Sequence, residues 1–110
     1  MDKVCLYEFE NPEIKISMHV YFSPENQLLF DGYDIGKRVK EGLGDSDYEY
    51  QYIIAWEEVK KMARLFNCDE NDKPAILEGL KQRFNANDAY SKFGDYMKEH
   101  HIVFEQFMWR

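Results

Sequence analysis

The chain has 110 residues, 45% of them hydrophobic and 16% aromatic, and a formal net charge of −7 from 14 basic and 21 acidic residues. That length fits one domain, residues 1–110, which buries roughly two-thirds of its unfolded surface in one core; the apolar content excludes global disorder. The charge argues against nucleic acid as a direct ligand, which needs clustered Lys and Arg, and against an anionic membrane surface, whereas it serves solubility and would steer a basic protein partner.

In chain order, Lys3–Phe9 reads as a strand broken by Asn11-Pro12. Glu13–Phe22 alternates Ile14, Ile16, Met18, Val20 and Phe22 against Lys15, Ser17, His19 and Tyr21, the pattern of a strand half-buried against a core. Ser23-Pro24-Glu25-Asn26 supplies turn chemistry, and Gln27–Phe30 returns as the partner strand of a hairpin. Asp31–Gly36 reads as a bend and Lys37–Leu43 as a short helix ended at Gly44. Tyr48–Ile54 is the next strand. The period then changes: Val59, Met62, Ala63 and Phe66 form one helical stripe, with Glu57 and Glu58 ahead of Lys60, Lys61 and Arg64, the order the helix dipole favours. Asp72 is placed to cap a second helix with Pro74 in its first turn, and Ile76, Leu77, Leu80 and Phe84 form its buried stripe. Asn87 is placed to cap a third, with Tyr90, Phe93 and Met97 inward and Gly94 as a weak point. Ile102–Trp109 carries large apolar groups at both alternations, fitting a strand covered on both sides or one with an apolar face offered to a partner. The fold class is therefore α+β: a mixed or mainly antiparallel sheet of about five strands, with three to four helices packed mainly on one face.

The stretch richest in chemistry is Asp45-Ser46-Asp47-Tyr48-Glu49-Tyr50-Gln51-Tyr52, three carboxylates and three tyrosines in eight positions. On a strand Tyr48, Tyr50 and Tyr52 share one face and Glu49 and Gln51 the other. Two readings stand: the tyrosines form a core face with hydroxyls reaching the rim, or they and the acids form a contact surface for a cationic partner. On the second, Asp45, Asp47, Tyr48, Glu49, Tyr50, Tyr52 and, from the aromatic C-terminal strand, Trp109 are the candidate partner-binding residues.

Other chemistries lack complete signatures. The calcium-like series Asp45, Asp47, Glu49 has Tyr50 at the position needing glycine and Trp56 at the position needing a bidentate acid; the series Asn67, Asp69, Asn71 has Asp72 at the glycine position. His19, His100, His101, Cys5 and Cys68 have no zinc spacing, and reduced thiols are expected. Gly32-Tyr33-Asp34-Ile35-Gly36-Lys37 lacks phosphate-loop spacing, and no nucleophile elbow is present. No catalytic residue, metal or cofactor is assigned. With no apolar run long enough to cross a bilayer and an N-terminus unlike a secretory signal, a cytoplasmic setting is expected.

Gly32-Tyr33-Asp34-Ile35-Gly36 followed by Gly44-Asp45-Ser46-Asp47-Tyr48-Glu49-Tyr50, with the aromatic run Phe104 to Trp109, resembles small acidic bacterial proteins without known activity. In size, charge and α+β pattern the chain is also similar to the immunity proteins of bacterial toxin systems. That likeness rests on class and implies no residue roles; it implies a non-catalytic protein-binding function, with carboxylates set against a basic toxin. The alternatives are a small enzyme or ligand-binding domain with an acidic loop at a pocket mouth, and a homo-oligomer using its terminal strand as an edge.

Overall fold

The computed structural model describes residues 3–36 and 46–109. Its strands are β1 (Val4–Glu10), β2 (Ile14–Phe22), β3 (Leu28–Gly36), β4 (Ser46–Ile54) and β5 (Glu105–Trp109); α1 (Trp56–Leu65), α2 (Lys73–Arg83) and α3 (Ala89–Glu99) lie between β4 and β5 in the chain. The five strands form one sheet in the order β1-β2-β3-β4-β5, and every neighbouring pair is antiparallel. The sheet is thus a meander, extended by β5 after the three helices.

The alternation read in β2 holds: Met18, Val20 and Phe22 are buried, joined by Leu28 and Phe30 of β3 and by Tyr50, Tyr52 and Ile54 of β4. Helices close over this face. Val59, Met62 and Ala63 of α1, Ile76, Leu77 and Leu80 of α2, and Phe93 and Met97 of α3 complete the core. Phe30 stacks on Phe93 with ring centroids 5.9 Å apart, and Phe22 meets Trp56 edge-on at 6.1 Å. Burying a side chain of this size contributes about 1.5–3 kcal/mol each.

Chain reversals follow local chemistry. Asp72 caps α2, its Oδ1 accepting from the Ala75 amide at 3.1 Å. Both α1 and α3 end with a residue at positive φ: Asn67 at 58° and His101 at 59°. After α1 the Cys68 amide reaches the Ala63 carbonyl (3.0 Å) and the Asn67 amide the Arg64 carbonyl (3.1 Å); after α3 the Ile102 amide reaches Met97 (2.8 Å) and the His101 amide reaches Lys98 (3.3 Å). These are Schellman closures, which satisfy carbonyls the helix leaves open. The second seats Ile102 in the core at 3% exposure.

Four expectations need correction. Asp31–Gly36 is not a bend; it continues β3, with Asp34 opposite Ile16 on one side and Tyr48 on the other. Ladder hydrogen bonds on both sides override the turn propensity of its glycines and aspartates. Asp88, not Asn87, stands at the N-cap of α3, and its side chain makes no capping bond. The last strand begins at Glu105 rather than Ile102, because Ile102 belongs to the closure of α3. Nor is that strand covered on both sides: Phe107 and Met108 are exposed. The short helix read over Lys37–Leu43 lies outside the described residues.

Strand length positions the site. Nine-residue strands span about 30 Å, whereas helices of ten or eleven residues span about 16 Å. The helices cover the half of the sheet near the β2–β3 turn. Towards the other end Ile14, Ile16, Asp34 and Tyr48 are only part-buried.

Candidate functional site

Tyr50 and Tyr52 lie on the helix-facing side of β4, 6% and 3% exposed. Their hydroxyls find partners, as buried phenols require. Tyr52 donates to the backbone carbonyl of Tyr90 (3.0 Å) and stacks on the Tyr90 ring at 4.1 Å. Tyr50 donates to Asp34 Oδ1 at 2.8 Å. Of the two readings of the tyrosine face, the core reading therefore describes Tyr50 and Tyr52. Burial holds both phenols above the ordinary tyrosine range; the Asp34 hydrogen bond and charge add to this for Tyr50, and Tyr90 does so for Tyr52.

Glycines make room for these rings. A Cβ at Gly32 would lie 1.7 Å from Tyr50 Cε2, and one at Gly94 would lie 2.2 Å from the Tyr52 hydroxyl. Gly32 lets the Tyr50 ring lie across β3 and reach Asp34. Gly94 is thus more than a weak point in α3: it admits β4's side chain beneath the helix.

At the uncovered end, Tyr48 and Tyr50 frame a cleft of about 240 Å³ with Asp34 of β3, Tyr90 of α3 and Met108 of β5. Ile16 and Met18 form its floor side, and Asn87 closes it from the loop before α3. The rings stand at angles to one another: Tyr48 and Tyr50 are tilted by 53° with centroids 5.6 Å apart, and Tyr50 meets Tyr90 edge-on at 4.6 Å. Tyr48 Oη donates to Met108 Sδ at 3.1 Å, and the Tyr90 hydroxyl accepts from Gln106 Nε2 at 3.1 Å.

Glu49 faces the opposite, helix-free side. There it lines a shallow concavity of about 340 Å³ with Lys3, Ser17, His19, Asp31 and Gln51. Asp31 is held on both oxygens: Tyr21 Oη donates to Oδ2 (2.7 Å) and Gln51 Nε2 to Oδ1 (2.5 Å). Lys3 Nζ lies over the Tyr21 ring, 4.7 Å from its centroid. Burial together with the Asp31 hydrogen bond and charge pushes the Tyr21 phenol up to about 12.

The residues read from the sequence are therefore divided between two faces. Tyr48 and Tyr50 share the cleft, Tyr52 lies beneath α3, and Glu49 stands behind them. Asp47 is opposite Ile35 and Trp109 opposite Glu49 in the ladder; Asp45 lies outside the described residues. Asp34, Tyr90, Asp31 and Tyr21 were missed. For Asp34 the signal was present, since its two-residue offset from Phe30 through Gly32 puts it on the inner face once β3 is allowed to run on.

Among the described residues no group of three or more His, Cys, Asp or Glu side chains is placed to hold a metal ion, and Cys5 and Cys68 are free thiols. Among the described residues no helix is long and apolar enough to cross a membrane. Comparison with protein-family models, with curated proteins and with solved structures gives no match.

Proposed function

We propose that this protein is a non-catalytic binding domain for a basic protein, and in its most concrete form a cytoplasmic immunity protein that neutralises a basic bacterial toxin. The observation that carries the reading is the uncovered end of the sheet. It presents carboxylates on both faces, Asp34 on one and Glu49 on the other, beside half-buried Tyr48, in a chain of net charge −7. Aromatic groups held by packing give contact area at low entropic cost, and fixed carboxylates steer and orient a cationic surface. Asp47 and Glu49 belong to this end by their positions in β4, and Asp45 precedes them in the chain.

The test is a titration against the product of the gene immediately upstream, at two salt concentrations. Changing Asp45, Asp47 and Glu49 together to lysine weakens binding on the order of a hundredfold, more at low salt than at high. Equal affinities for the two proteins refute the reading.

One observation favours a second reading, self-association through β5. This edge strand has no proline, and its Phe107 and Met108 are 45% and 53% exposed, whereas the other edge, β1, is broken by a register shift between Cys5 and Tyr7.

A further inference from the structure

The cleft framed by Tyr48, Tyr50 and Tyr90 has two properties that define a ligand. Its walls are aromatic rings set at angles to each other, with Met108 and Ile16 as apolar neighbours. It also contains one carboxylate, Asp34, whose Oδ1 already accepts from the Tyr50 hydroxyl. Among the described residues Asp34 Oδ2 has no hydrogen bond, and no Lys, Arg or His lines the cleft. Ring faces attract a cation through their quadrupole, and a part-buried carboxylate attracts it through its charge. Both act on the same small volume.

We propose that this cleft binds a lysine side chain of the basic partner. The inference rests on the function proposed above and names its anchor. The ammonium sits against Asp34 Oδ2 and the rings of Tyr48 and Tyr50, while the four-carbon stem lies along Ile16 and Met108. Lysine fits better than arginine because one Asp34 oxygen is engaged by Tyr50. A guanidinium fork matches both oxygens of a free carboxylate; an ammonium needs only one. Tyr50 has a double role: its ring forms a wall, and its hydroxyl fixes the carboxylate.

The test needs no partner. Tyrosine and methionine resonances are followed by NMR while the intact protein is titrated with n-butylammonium, the lysine side chain in isolation, with n-propylguanidinium for arginine, and with neutral 1-butanol. Saturable shifts at Tyr48, Tyr50 and Met108 are expected with butylammonium, with propylguanidinium and butanol roughly tenfold weaker or more. Asp34→Asn, which keeps an acceptor for the Tyr50 hydroxyl, weakens butylammonium binding about tenfold with an unchanged melting temperature. Glu78→Gln, an exposed acid on α2 away from the cleft, leaves it unaltered. Equal shifts with butanol, no saturable shift, or an Asp34→Asn variant that binds like the wild type overturns the proposal. A toxin that binds a chain whose cleft ignores butylammonium refutes the anchor alone; a cleft that binds butylammonium in a chain with no basic partner refutes the function alone.

Discussion

At Gly32 any side chain would enter the space of the Tyr50 ring. Gly32→Ala forces that ring off β3, breaks its reach to Asp34 and costs about 1–3 kcal/mol, the range for overpacking. Denaturant unfolding checks the cost, and a displaced Tyr50 resonance checks its cause. His101 illustrates the opposite case. It occupies the left-handed position after α3, where a side chain crowds its own carbonyl and glycine does not. His101→Gly is expected to stabilise by roughly 0.5–1 kcal/mol, since the relieved strain exceeds the extra chain entropy of glycine. A lower melting temperature for this variant would show that the imidazole has a structural role of its own. Met18, 3% exposed under the helices, is a plain core residue; Met18→Ala is expected to cost about 2–5 kcal/mol.

At the scale of elements, Glu58 ties the start of α1 to the connection between α3 and β5. Its Oε1 accepts from Lys61 Nζ at 2.8 Å and from the Val103 amide at 2.7 Å. The Lys61 bond, then the Val103 bond, holds the carboxyl below its ordinary value of 4.5. A depressed folded pKa stabilises above the unfolded value and is lost as pH falls through the folded one. The stability of the wild type therefore falls more steeply below pH 4.5 than that of Glu58→Gln. Parallel slopes of melting temperature against pH in the two proteins would remove Glu58 from this account. The effect is small, because the Lys61 ammonium is solvent-accessible and screened.

For the whole molecule, the tyrosine-lined core predicts alkaline lability. Tyr50 and Tyr52 have folded values above the ordinary 10.0, so the stabilisation they contribute is complete below pH 10 and is lost as pH rises towards those values. The phenolate absorbance of Tyr50 and Tyr52 should rise only together with loss of near-ultraviolet circular dichroism. A single transition near pH 10 with the fold intact would mean that these phenols are accessible. The exposed edge at β5 leads to a second expectation at this scale. Replacing Phe107 by lysine lowers any concentration-dependent increase in sedimentation coefficient, because an edge lysine opposes strand pairing. If association persists unchanged, it runs through another surface.

Periodicity alone determined much of this protein. β2 and the return of its hairpin as far as Phe30, the buried stripe of each described helix and the shared face of Tyr48, Tyr50 and Tyr52 are local properties, set by side-chain spacing along one element. What tertiary structure decided is which residues meet. Glycine and aspartate in Asp31–Gly36 suggest a turn, and only pairing with both β2 and β4 makes that segment a strand. The period of two already set Tyr50 and Glu49 on opposite faces; the tertiary structure added that helices cover the tyrosine face and leave that of Glu49 open. Asp34, Tyr48, Tyr90 and Met108 come from four elements, and no spacing in the chain relates them. The cleft exists because the strands are longer than the helices that cover them, a relation set by packing between elements and absent from any single window of sequence.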